Sequence, residues 1–194
     1  MSAGLLWALT TLALAIVLVR RRSAAIGLLA LQSLLLGVAA ATADGPLWVA
    51  GSVLVVRGIA LPALLAALLR RTREPSTLAR LLLAVAVAIA AAALTPDLGL
   101  TGSGSAQAAM ALVALGICTV ALRRRALTQL VGVLVAENGV YLAGLAVPGG
   151  VPIAIELALL LDLVAVLAVA AAFGDLIHRR FGTSDTALLR GLRD

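Results

Sequence analysis

The sequence predicts an all-α, polytopic membrane bundle of seven transmembrane helices, and three observations predict it. Hydrophobic residues make up 63% of the 194 positions and charged residues 12%, against roughly 25% charged in an ordinary globular domain. Aromatic residues are only 3%, so the apolar mass is Ala, Leu and Val, the vocabulary of packed helices. A membrane barrel would show short alternating segments with aromatic girdles instead. Charges and turn residues also cut the chain into lengths near the ~20 apolar residues that a helix needs to cross hydrocarbon. The chain therefore reads as one integral membrane domain over 1–194, with no soluble domain beside it.

Segment one, 3–20, is an apolar run ended by the arginines at 20–22. It lacks the basic region of a secretory signal, and arginines stand where a small-residue cleavage site would be needed, so an uncleaved span is expected. Segment two, 24–43, is diluted by Gln32, Ser33 and Thr42 and stopped by Asp44-Gly45-Pro46. Segment three, 46–69, runs through Arg57 and Pro62 to an arginine-rich stretch at 70–77. Segment four, 78–95, is almost entirely Ala, Leu and Val before Pro96. The Gly- and Ser-bearing stretch up to 105 follows as a flexible outer loop. Segment five, 106–122, holds the single cysteine, Cys118, and ends at Arg123. Segment six, 126–146, contains Glu137 and closes at Pro148-Gly149-Gly150. Segment seven, 151–177, contains Glu156 and Asp162, and a tail over 178–194 follows. Arginine clusters stop insertion, while Gly and Pro interrupt helices because one lacks a Cβ and the other an N–H.

Charge asymmetry predicts the orientation. All 15 basic residues are Arg. Apart from Arg57 they fall at 20–22, 70–80, 123–125 and 179–193, which are alternate breaks and the tail; the other breaks carry Asp44 and Asp97 without a basic residue. The positive-inside rule then puts the N-terminus outside and the tail in the cytoplasm, in the inner (cytoplasmic) membrane. The net charge of +6 becomes a cytoplasmic rim facing the lipid bilayer, and a nucleic-acid partner is not expected.

Soluble catalysis finds no footing. One cysteine cannot form an internal disulfide or hold a structural zinc, and Cys118 reads as a small core residue. The glycines near 101–105 lack the strand and helix context of a phosphate loop. One His, one Cys and two Met cannot assemble haem or iron–sulfur ligation within this chain. No catalytic residue, metal or cofactor is therefore expected here. His178, at the cytoplasmic end of segment seven beside Arg179 and Arg180, reads as an interfacial capping residue or an interfacial relay, its unperturbed pKa of ~6.5 suiting the second.

Ionisable groups inside the apolar runs carry the chemistry. Glu137 lies near the middle of segment six, Asp162 is deep in segment seven, and Glu156 is shallower, about a turn and a half from Pro152. Acids at such depth are costly and mark ion or proton paths, whereas Ser, Thr, Asn or Gln suffice to staple helices together. Glu156 and Asp162 are six residues apart and point ~120° from each other, as stations facing different neighbours. Next to Glu137, Asn138 and Tyr141 present polar groups on an adjoining face. Arg57 is the buried cation. Pro62 removes a helical donor and leaves the Gly58 carbonyl without its usual partner, which predicts a loosened turn beside the charge. Either interface is roughly 15–20 Å from Arg57 at the helical rise, too far for easy snorkelling, so a salt bridge to one of the acids is expected.

Several of these residues carry a resemblance. Glu137-Asn138-Gly139, Glu156-Leu157, Leu160-Leu161-Asp162, Ile177-His178 and Gly182-Thr183-Ser184-Asp185-Thr186 resemble the component E family of hydrogenase-4, seven-helix membrane subunits of formate-hydrogenlyase-like group 4 hydrogenases. The likeness covers most of the chain in layout and is specific over roughly 137–192. In that family the last three helices are similar to the K-type subunit of complex I and to the C subunit of multisubunit cation/proton antiporters. The resemblance implies that Glu137 matches the proton-path acid of the middle K-type helix, and that Glu156 or Asp162 matches the acid of the last. It implies a tuning or gating role for Arg57, where lysine would be expected; arginine hardly deprotonates, so it is expected to tune neighbouring acids and not to carry the proton itself. It implies a proton-translocating membrane-arm subunit, with antiporter-like membrane partners and a peripheral hydrogenase-type redox arm. Metal centres and iron–sulfur clusters would lie in those partners. A stand-alone antiporter subunit and a purely structural assembly subunit are the alternatives.

Overall fold

Ser2 begins the first helix: its Oγ accepts from the Leu5 N–H at 3.4 Å and satisfies one of the first-turn donors. In the computed structural model the described residues are 2–19, 21–41, 51, 54–60, 62–63, 78–96, 100, 104–123 and 126–149. Five α-helices lie among them: α1 (Ala3–Leu18), α2 (Arg22–Ala41), α3 (Leu78–Leu94), α4 (Ser105–Leu122) and α5 (Ala126–Leu145). A π-helix, Leu54–Ala60, lies between α2 and α3. The described part is all-helical and without strands. These helices begin and end within two residues of the corresponding sequence segments. Segment seven and the tail lie outside the described residues.

Two described helices are long and apolar enough to cross a membrane, Ser23–Ala41 and Ser105–Leu122. The apolar parts of the others are shorter, Ala3–Leu18, Leu81–Leu94 and Gln129–Leu145. At 1.5 Å per residue the 16 residues of α1 span about 24 Å, less than a typical hydrocarbon core of ~30 Å.

The closest helix pair is α4 with α5, joined by a short link at 123–125. Glycine makes that approach possible. A Cβ at Gly116 would run into the backbone N of Ala136, and one at Gly132 would sit 2.7 Å from both the Gly116 carbonyl and the Val120 N. Gly139 repeats the pattern against the Ala109 carbonyl at 2.7 Å. Small residues at such spacing let two backbones touch, the packing mode that serves helices where water supplies no driving force.

Around this pair, α1 packs on α2, α3 and α4, while α2 packs on α5 and on the π-helix. The core is one continuous cluster in which Leu9, Ile16, Leu29, Leu36, Leu112, Leu115, Val135 and Leu142 are fully buried. Cys118 belongs to it, as a small core residue. On α2 the inward stripe is Leu29, Gln32, Ser33, Leu36 and Ala40, the 3–4 spacing of one helical face. Two of its five members are polar.

Arg123, where the sequence ends segment five, also ties helix ends together. It is buried, and its Nη2 donates to the carbonyls of Ile16, Val17 and Val19 at 3.0, 3.3 and 2.9 Å. The last carbonyls of a helix lack intrahelical partners, and a cation there also suits the helix dipole. The guanidinium thus closes α1, while the Arg123 carbonyl accepts from Gln129 Nε2 at 2.9 Å. One arginine joins the ends of α1 and α4 to the start of α5.

Candidate functional site

The π-helix sets the position of Arg57. Its wider turn falls over Leu54–Ala60, just ahead of Pro62, where the missing proline N–H leaves the backbone a donor short. The loosened turn expected there is realised in this form. Gly58 lets the segment lie against α2, since a Cβ at that position would come to 2.8 Å from Leu34 Cδ2. With its backbone seated on α2, the Arg57 side chain enters the bundle and is 3% exposed.

Four helical segments are linked through that guanidinium and the side chains beyond it. From α5, Glu137 Oε2 stands 4.0 Å from Arg57 Nη2. Asn138 Oδ1 accepts a hydrogen bond from Arg57 Nη1 at 3.1 Å. One turn further on, the Tyr141 ring lies under the guanidinium, 5.0 Å from its carbon to the ring centroid. From α2, Gln32 Oε1 and Ser33 Oγ accept from Asn138 Nδ2 at 3.1 and 3.4 Å. Gln32 Nε2 in turn donates to the Leu9 carbonyl of α1 at 3.1 Å. The cluster therefore ties α1, α2, the π-helix and α5 through side chains that are all buried except for the partly exposed Glu137.

Magnitudes show why Arg57 has so many partners. Removing a charge from water costs several kcal/mol even after relaxation. One opposite charge at 4.0 Å returns about 4 kcal/mol at an effective dielectric of ~20. A charge-assisted hydrogen bond adds ~1.5–3 kcal/mol and a cation–π contact ~0.5–2 kcal/mol. Only together do these offset the burial of the cation. A carboxyl beside such a group can take up and release a proton, while the guanidinium stays charged throughout. Among the described residues no three His, Cys, Asp or Glu side chains converge as a metal site would need.

No family model, curated protein or solved structure matches this chain.

Of the residues singled out in the sequence, Arg57 and Glu137 are brought together, with Asn138 and Tyr141 on the same α5 face. The salt bridge expected from Arg57 to one of the acids is present, and the acid is Glu137. Glu156, Asp162 and His178 lie outside the described residues. Gln32 and Ser33 were missed as members of the site, because they looked like dilution of an apolar run. The signal was their phase: both fall on the Leu29–Leu36 stripe, so a polar side chain there has to face the core.

Proposed function

We propose that this chain is a membrane-arm subunit of a complex-I-like oxidoreductase, most closely a component-E-type subunit of a group 4 hydrogenase. In this reading seven helices cross the inner membrane, with the N-terminus outside and the tail in the cytoplasm. Glu137, with Glu156 and Asp162, forms a proton path, and Arg57 tunes or gates it. Antiporter-like membrane subunits and a peripheral hydrogenase-type arm, the latter holding the metal centres, are the partners.

The observation that carries this reading is the pairing of the buried Arg57 with the partly exposed Glu137, with Asn138 as the third member. An acid with a fixed cation beside it, inside an apolar helix bundle, is the arrangement that intramembrane proton paths use. Exposed Trp7, Leu31, Ile59, Ile89, Ile117 and Val140 support a lipid environment, since a water-exposed surface rarely carries such apolar area on every described helix. The resemblance in residues 137–192 supplies the kind of complex. Purification of the native assembly tests it: hydrogenase-type large and small subunits should co-purify, and antiporter subunits alone would contradict it.

A second reading, a structural subunit whose polar groups fix helix register, is favoured by the amide chain from Arg57 to Leu9. Glu137→Gln separates the two. A relay acid loses coupling in an assembled complex, whereas a register device loses assembly and keeps coupling in whatever complex survives.

A further inference from the structure

The hydrogen bonds from Arg57 to α1 all run in one direction. Arg57 Nη1 donates to Asn138 Oδ1, Asn138 Nδ2 donates to Gln32 Oε1, and Gln32 Nε2 donates to the Leu9 carbonyl. Neither amide can turn round. A guanidinium at one end can only donate and a backbone carbonyl at the other can only accept, so both amide orientations are fixed by the chemistry of the ends. Every amide oxygen then points toward the cation and every amide nitrogen away from it, and each bond polarises the next. The three bonds are all near 3.1 Å. By contrast the closest approach to Glu137, 4.0 Å, is beyond hydrogen-bonding distance.

We infer that Gln32 and Asn138 are positioning residues for the Glu137 proton site: their aligned amides hold the Arg57 charge in place by hydrogen bonds that do not depend on the protonation state of Glu137. This rests on the relay reading of Glu137 given above. A cation held only by its carboxylate would lose its anchor whenever that carboxylate took up a proton. Here the anchor is a pair of neutral amides ending on the α1 backbone, so the guanidinium presents a constant field to an acid that changes charge. Among the described residues, Arg57 of the π-helix faces Glu137; Tyr141 on α5 stacks on the same guanidinium, Cys118 is the titratable residue of α4, and the groups that α2 and α1 bring to the cluster, Gln32, Ser33 and the Leu9 carbonyl, are uncharged.

The test is an infrared pH titration of the full chain in phospholipid nanodiscs, with the Glu137 carboxyl band assigned by its loss in Glu137→Gln. Asn138→Leu releases the guanidinium and should move the midpoint of that band by about one pH unit or more, as expected for one charge-assisted hydrogen bond redistributed. Gln32→Leu, which leaves every residue touching Arg57 in place, should move it the same way by less. Leu115→Ala loosens the core without touching the chain and should leave the midpoint unchanged. Thermal destabilisation by the Gln32 and Asn138 variants with an unmoved midpoint would overturn the inference, as would an equal shift in Leu115→Ala. If Asn138→Leu does not fold, Gln32→Leu decides alone, a shift supporting the inference and no shift overturning it. A band that titrates as expected in a chain whose Glu137→Gln complex couples normally would sink only the proton-path function, leaving the positioning intact. A Glu137 band that does not titrate between about pH 4 and 10 would remove both.

Discussion

Replacing Arg57 by Leu should destabilise the chain strongly, and replacing Glu137 by Leu as well should restore part of the loss. The single variant removes the cation that faces Glu137 at 4.0 Å, an attraction of about 4 kcal/mol at an effective dielectric of ~20. It also strips Asn138 Oδ1 of its charged donor, at ~1.5–3 kcal/mol. Breaking one half of a fully buried pair costs ~3–5 kcal/mol, mainly because the remaining charge is left uncompensated; with Glu137 partly exposed the lower end applies. For a chain of this size, ~3 kcal/mol corresponds to a fall of about 6–12 °C in melting temperature. The Arg57→Leu/Glu137→Leu double variant still lacks the Asn138 contact but contains no lone charge. It should melt several degrees above the Arg57→Leu single. Circular dichroism melting of wild type, both singles and the double in one detergent closes the cycle, and the coupling should be ~1–3 kcal/mol. A double variant no more stable than the Arg57 single would refute the pairing and leave amides and backbone as the whole solvation of Arg57.

Other substitutions read out the supports of the site. Gly132→Ala puts a methyl 2.7 Å from backbone atoms of α4 and should cost ~1–3 kcal/mol by forcing the helices apart, visible as an earlier melt. Arg123→Leu leaves the carbonyls of Ile16, Val17 and the C-cap Val19 without this donor and should cost ~1–3 kcal/mol, while Arg123→Lys should recover only part, since an ammonium lacks the planar fork. For topology, a reporter fused after Arg193 should be cytoplasmic and one at Gly102 external; both on the same side would contradict an odd number of spans between them.

The physics of long apolar runs made the helices readable. Arg20–Arg22 and the turn residues Pro148 and Gly149 mark boundaries that the structure keeps to within two residues. Arg57, Glu137, Asn138 and Tyr141 were legible because ionisable and polar groups have few excuses inside hydrocarbon-length segments. The π-helix was legible only as an expected loosening ahead of Pro62, since a missing N–H can be accommodated by a kink or by a wider turn. Gln32 and Ser33 were harder. A polar pair within an apolar run can face a lipid boundary, a neighbour or the core, and only the packing of α2 against α5 decides. Arg123 ends its helix where the sequence put the stop, but nothing local says that the first member of an arginine triplet reaches back to the carbonyls at the end of α1.

The most direct test of the central claim is proton translocation by membranes carrying Glu137→Gln in the native complex, measured against the turnover of its redox partners. The amide keeps the size and most of the hydrogen bonding of the acid but cannot exchange a proton. The complex should therefore assemble in normal amount with coupling largely lost, and Glu137→Asp should keep part of it. Unchanged proton translocation in the Gln variant would contradict the account and return Glu137 to the role of a helix staple.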